Sequence, residues 1–226
     1  MPVSRWQNGR NRKTAADPDS IESFHPIEVA DHAPLPPCTM RPSHLRAQDD
    51  RLADVARYPE GPASLADDVD DTLAAFDTFS RLMAKDGIRA ALYSVLCKSD
   101  YRFIGIFRFR DGKATSAVHV DRMDLNALQA ATVDETATYC TLVRDGRAPF
   151  VTADATVDPR TTRHDARDVV RAYAGIPIVA PDGEFIGTLC HYDLEPRSPE
   201  QLDLALLLRV AGALARSGQV PPYPGS

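Results

Sequence analysis

Residues 173–197 read YAGIPIVAPDGEFIGTLCHYDLEPR, and few shapes are open to such a stretch. The apolar run Ile176-Pro177-Ile178-Val179 meets the turn residues Pro181-Asp182-Gly183, and a second β-rich run follows from Phe185 to Tyr192. Proline presets φ for the first turn position and glycine accepts positive φ, so the segment predicts a β-hairpin. Asp193 ends the second run, and Pro196 lacks the amide that a further ladder rung requires.

The flanking elements follow from periodicity. Ser64 is a candidate helix cap, and Asp67, Asp68, Asp70 and Asp71 suit the positive end of a helix dipole. Leu65, Val69, Leu73, Phe76, Ser80 and Met83 recur at helical spacing, Gly87 interrupts, and Ile88, Ala91, Leu92, Val95 and Leu96 resume it. Strands are expected at 101–110 and 114–120, joined by Asp111-Gly112, a strong hairpin signal. Residues 124–145 read as helix in one or two pieces, 150–152 as a short strand, and 162–172 as a short polar helix. Ser198-Pro199-Glu200-Gln201 has the residues of a helix start. The run from Leu202 to Arg216 behind it is apolar on nearly every side, so two of its sides should be covered.

Composition narrows the function classes. The 226 residues are 43% hydrophobic, enough for one core, and the net charge of −6 offers no electrostatic footprint for nucleic acid. Arg5, Arg10, Arg12 and Lys13 read as a solvated tail. No apolar run approaches the ~20 residues of a membrane span, and the expectation is a soluble cytoplasmic protein. Nine of the 18 prolines fall within the first 62 residues, which places a boundary there. Residues 1–62 are expected to be largely disordered or extended, with Ile21, Phe24, Ile27 and Val29 as a short docking patch. Residues 63–218 form the folded domain, and 219–226 an irregular tail.

The motif order resembles the GAF domain family. Tyr173-x-Gly175-x-Pro177, Asp182-Gly183, and Gly187-Thr188-Leu189-Cys190-x-x-Asp193-x-x-Pro196-Arg197 look like the C-terminal half of such a domain. Asp134-Glu135-Thr136, Tyr139-Cys140, Pro149-Phe150-Val151, Asp154-Ala155 and Asp158-Pro159-Arg160 follow the family's order upstream. The resemblance spans roughly residues 66–216. It implies an α/β (α+β) fold with a central antiparallel β-sheet and helices on both faces. It also implies a non-catalytic small-molecule-sensing or dimerisation module of bacterial signal transduction. A ligand would lie between the sheet and the 124–172 segment, and a homodimer would form through the terminal helices. The cofactor, the ligand and the signalling partner are not named by the sequence.

Candidate chemistry is sparse. Cys38, Cys97, Cys140 and Cys190 lie far apart and read as small buried apolar groups. In phytochrome-like members a Cys-His pair holds a bilin on a helix ahead of the Tyr-x-Gly-x-Pro segment. Residues 165–172 contain no cysteine, so covalent bilin is not expected. Strand alternation sends Cys190 and His191 to opposite faces. One GAF branch reduces free methionine sulfoxide with cysteines near its pocket. Cys140 and Cys190 are the residues that would do so here, and that enzyme is the alternative reading, with a ligand-free scaffold as the third. Asp154, Asp158, Asp165 and Asp168 with His119 and His164 show no recognised metal spacing. Arg163, Arg167 and Arg171 recur every four residues, and one of them is a candidate clamp for a carboxylate or phosphate. The expected topology makes His119, Tyr139, Cys140, Asp154, Arg163, Tyr173 and His191 candidate ligand-binding residues, with no catalytic residue and no metal.

Overall fold

A computed structural model describes residues 35, 65–198, 200 and 202–224. The expectation for residues 1–62 therefore lies outside the described residues except at Leu35, as do Ser64, Pro199 and Gln201.

Helix α1 runs Leu65–Leu96 and is broken at Gly87, whose φ of 85° and ψ of 173° are not helical. Glycine reaches that conformation without a Cβ clash, so the interruption expected at this residue is where the helix changes course. Just past the break, Arg89 donates to the carbonyls of His119 (3.1 Å) and Leu125 (2.6 Å), tying the helix to the far edge of the sheet. Strand β1 (Phe103–Arg110) and β2 (Lys113–Asp121) follow as a hairpin. Arg110 faces Lys113 across a two-residue loop in which Asp111 and Gly112 both take positive φ, 51° and 74°. That is the loop whose twist matches two paired strands.

The remaining elements are β3 (Val133–Asp134), α2 (Cys140–Gly146), β4 (Phe150–Thr152), β5 (Ala172–Val179), β6 (Phe185–Asp193) and α3 (Leu204–Ser217). The six strands form one antiparallel sheet in the order β3-β2-β1-β6-β5-β4. The expected β5–β6 hairpin closes through Gly183, whose amide donates to the Ala180 carbonyl at 2.9 Å.

Helices α1 and α3 pack on one sheet face. Ile104, Ile106, Val118, Val120, Ala174, Ile176, Ile178 and Leu189 meet Phe79, Leu92, Leu96, Leu206, Leu207, Val210 and Leu214 there. Each large aliphatic side chain so buried contributes about 1.5–3 kcal/mol of transfer free energy.

Three local expectations are corrected. Residues 124–145 are not mostly helix: only α2 is α-helical, and 124–132 run as irregular chain. The chain is held instead by the sheet edge, through the Ala130 amide on the Ser116 hydroxyl (2.9 Å), the Thr132–Thr115 hydroxyl pair (3.0 Å), and Val133 paired with Ala114. Residues 162–172 are turns rather than a helix. Asp158 caps a single 3-10 turn at Pro159–Thr161, and the Arg167 side chain bonds the Thr156 carbonyl. The last helix starts later than Ser198, because Asp203 is its cap. Its carboxylate accepts from the Leu206 amide (2.8 Å) and from the Thr72 hydroxyl of α1 (2.6 Å).

Candidate functional site

The opposite sheet face is built differently. Alternation along β1 turns Phe103, Gly105 and Phe107 away from the helices, and β6 turns Cys190 and Tyr192 the same way. Register then fixes what lies beside them. Tyr192 faces Tyr173 and Cys190 faces Gly175 across β5–β6, while Cys190 faces Gly105 across β1–β6. Cys190 therefore lies between two glycines, and space opens above it. Gly175 has a further duty. A Cβ there would strike the Tyr173 ring and hydroxyl, so its absence lets that ring lie over the sheet.

The irregular chain and α2 roof this face. Ala130, Ala131, Val133, Ala137, Thr138, Tyr139, Cys140 and Val170 close over Phe107, Tyr173, Cys190 and Tyr192 around a cavity of about 160 Å³. None of these lining residues is charged. For scale, an engineered apolar cavity of about 150 Å³ stays dry and admits benzene. The space is open on one side, and its lining suits an uncharged, largely apolar group.

Two thiols lie in the cavity wall. The sulfurs of Cys140 and Cys190 are 3.9 Å apart, and each residue is 1% exposed. The Tyr173 hydroxyl donates to Cys140 Sγ at 3.2 Å. Burial opposes charge on Cys140, but hydrogen bonds from Cys190, Thr138 and Tyr173 outweigh it and bring this thiol below its ordinary value. Burial and the neighbouring Cys140 sulfur push the Cys190 thiol well above its own. The same burial raises the Tyr173 phenol, which stays protonated as a donor. Cys97, by contrast, is disulfide-bonded, which corrects the reading of all four cysteines as simple apolar groups.

The seven candidate residues separate into three places. Tyr139, Cys140 and Tyr173 line the cavity together. His119 lies on the same sheet face but beyond the wall, its ring 5.7 Å from Phe103 and 6.4 Å from Tyr192, with burial lowering its pKa. His191 points the other way, its Nδ1 3.4 Å from the Ser99 hydroxyl and its ring edge-on to Tyr101 at 5.5 Å. Burial pushes its pKa down to about 3, with Arg122 adding to the effect. Asp154 pairs with Arg171 through two bonds of 3.0 Å, which hold its carboxyl well below the usual range. Arg163 is exposed and lines no part of the cavity.

The arginine stripe does not form, because the segment that carries it is not helical. Arg167 and Arg171 are engaged with Thr156 and Asp154. Cys190 enters the sequence reading only as the redox partner of Cys140, and Phe107 and Tyr192 are not among its candidate ligand-binding residues. Strand parity was the available signal, since Tyr173, Gly175, Cys190 and Tyr192 share a face in any in-register pairing of this hairpin. Among the described residues no cluster of three or more His, Cys, Asp or Glu side chains can hold a metal. No described helix is long and apolar enough to cross a membrane.

The sequence profile of the GAF domain family matches residues 89–217. A cyclic di-GMP phosphodiesterase of Pseudomonas aeruginosa is 37% identical over 73 residues, which cover 30% of this chain and 12% of that enzyme. The chain thus matches about an eighth of that relative's length. The GAF domain of an Acinetobacter phosphoenolpyruvate-protein phosphotransferase superposes with a TM-score of 0.51 at 10% identity, covering 64% of this chain and 90% of that one. The free methionine-R-sulfoxide reductase of Neisseria meningitidis, in complex with its substrate, gives 0.51 at 15% identity, with 67% and 90% covered. At these identities the two structures speak for the fold alone.

Proposed function

The chain belongs to the GAF domain family, and from that premise we propose that it is a non-catalytic small-molecule sensor of bacterial signalling, with its ligand in the cavity over β1, β5 and β6. One observation carries the reading. The sheet face opposite α1 and α3 keeps a space of about 160 Å³ lined by uncharged groups, the rings of Phe107, Tyr139 and Tyr192 among them. Close packing of that face would have left no such space. This favours a sensor over a ligand-free scaffold. It also disfavours free methionine sulfoxide as a guest, because that zwitterion needs charged partners when buried and the lining has none.

A second copy of the chain is proposed as a partner through the terminal helices. Val69 and Leu73 on α1 and Leu204 and Leu208 on α3 are large apolar side chains left exposed. Ligand binding would bias that helical packing by differential affinity for its two arrangements. The output then passes to a further signalling protein.

Native mass spectrometry of the chain purified from its host, before and after denaturation, tests the sensor. A small apolar molecule released on denaturation supports it. An empty chain whose melting temperature is unmoved by toluene or indole opposes it. Sedimentation equilibrium of the native chain and of Leu208→Glu tests the dimer, since a native monomer removes it.

A further inference from the structure

We propose that the cavity is a reaction site for small alkyl hydroperoxides, with Cys140 as the attacking thiol and Cys190 as its resolving partner. The proposal rests on the sensor reading above and gives its ligand a chemical class.

The geometry supplies three constraints on that class. The guest is uncharged, because no lining side chain is charged. The part of it held in the pocket is small, because about 160 Å³ is close to the space that holds one benzene. It can meet two thiols, because both cysteines line the cavity and their sulfurs are 3.9 Å apart. A carbon electrophile would consume one thiol and leave the other idle. A two-electron oxidant uses both, and an alkyl hydroperoxide joins an apolar body to such an oxidant without charge.

The steps balance. The Cys140 sulfur attacks the terminal peroxide oxygen, so an S–O bond forms and the O–O bond breaks. The alkoxide leaves as alcohol with the proton from the Cys140 thiol. The Cys190 sulfur then attacks the sulfenic sulfur of Cys140, an S–S bond forms, and hydroxide leaves as water with the Cys190 proton. The sum is one hydroperoxide and two thiols giving one disulfide, one alcohol and one water.

The division of labour follows from the surroundings. The Tyr173 hydroxyl donates to Cys140 Sγ at 3.2 Å and stabilises charge on that sulfur. The direction of the two thiol pKa values agrees, lower at Cys140 and higher at Cys190, and the thiolate is the nucleophile. Cys190 is fixed in β6 between β1 and β5. Cys140 opens the short helix α2, and it is the side that moves when the sulfurs close to the roughly 2 Å of a disulfide. The product links the roof of the cavity to its floor. Without a reductant the reaction runs once per chain, as a switch does.

The reduced full chain is treated with one equivalent of tert-butyl hydroperoxide or of hydrogen peroxide, and peptides are mapped by mass spectrometry. The expected product is a Cys140–Cys190 crosslink, formed at least about tenfold faster with the alkyl peroxide because the apolar wall binds its body. Cys190→Ser should stop at a sulfenic acid on Cys140 that dimedone traps, and Cys140→Ser should leave Cys190 unlabelled. Ala130→Phe, which fills the cavity and keeps both thiols, should erase the preference for the alkyl peroxide. Labelling of Cys190 in Cys140→Ser at the rate of Cys140 in the native chain would overturn the assignment, as would absence of the crosslink or equal rates for the two peroxides. Cys140→Ala and Cys190→Ala repeat the test if a serine variant loses its circular dichroism. The double variant, melted with toluene, is read separately. A toluene shift without native crosslinking keeps the sensor and rejects the peroxide chemistry, and loss of both rejects the two together.

Discussion

The two faces of the sheet solve the same problem in opposite ways. On the α1–α3 face, aliphatic side chains from regular strands meet aliphatic side chains from regular helices. On the other face, aromatic rings and two thiols meet short turns, a seven-residue helix and loop, and a cavity remains. Regular elements interdigitate, because their side chains recur at fixed spacings. Irregular chain follows its own hydrogen bonds to the sheet edge and leaves space where the rings fail to nest. The first face is the close-packed one, and the second keeps the space in which we propose a guest is held.

The contrast is broken most forcefully from the stable side. Ile104→Ala should cost about 2–5 kcal/mol in chemical denaturation, while leaving toluene binding by the surviving folded protein unchanged. If binding weakened as much as stability, the two faces would not be separable.

Acid should act next, again through the helix face. The His191 pKa is held at about 3 when folded against 6.5 as its ordinary value, so the unfolded chain takes up the proton first. Stability is then complete above about pH 6.5 and falls by up to a few kcal/mol as the pH drops toward 3. Buried His119 and half-buried His164, also lowered, add in the same sense. The urea midpoint measured from pH 7 to pH 4 should fall, and His191→Gln should flatten that slope.

Gly175→Ala addresses the cavity face. The new methyl collides with the Tyr173 ring, and overpacking of this kind costs about 1–3 kcal/mol. Pairing it with Tyr173→Ala should recover part of that cost, and a double-mutant cycle reads the coupling. Asp203→Ala removes the α3 cap and its bond to Thr72, for about 1 kcal/mol. The smallest effect is expected from Ala130→Phe, within about 1 kcal/mol of native stability because it fills space already present. A large loss there would mean that the cavity wall is packed as tightly as the helix face.

The same division decides what could be read from the sequence. Wherever period and turn chemistry agreed, the expectation matched: the β1–β2 loop at Asp111-Gly112, the β5–β6 hairpin at Pro181-Asp182-Gly183, and the break at Gly87. The roof misled for a physical reason. Residues 124–132 and 162–172 have helix-compatible composition, but their backbone and side chains are claimed by Ser116, Thr115, Thr156 and Asp154, which lie 11 to 17 residues away, beyond the reach of a helical turn. Local propensity cannot register such competition. The α3 cap was missed for a smaller reason. Ser198-Pro199 looked the better start, whereas Asp203 also had a tertiary partner in Thr72. Of the cavity lining, Tyr139, Cys140 and Tyr173 were reached from the expected topology. Cys190 and Tyr192 needed strand parity, and the alanines of the roof carry no chemical signal at all.

Strand β6 belongs to both faces at once. Between Leu189 and Tyr192, successive residues alternate between the helix-side core and the cavity. His191 lies beside Ser99, and Leu189 is packed in the core that holds α3. Whatever presses on Cys190 or Tyr192 presses on peptide units that these helix-facing side chains share. Chamber and helices are thus separated by the thickness of one backbone, and a displacement on one side needs no relay of side chains to be felt on the other.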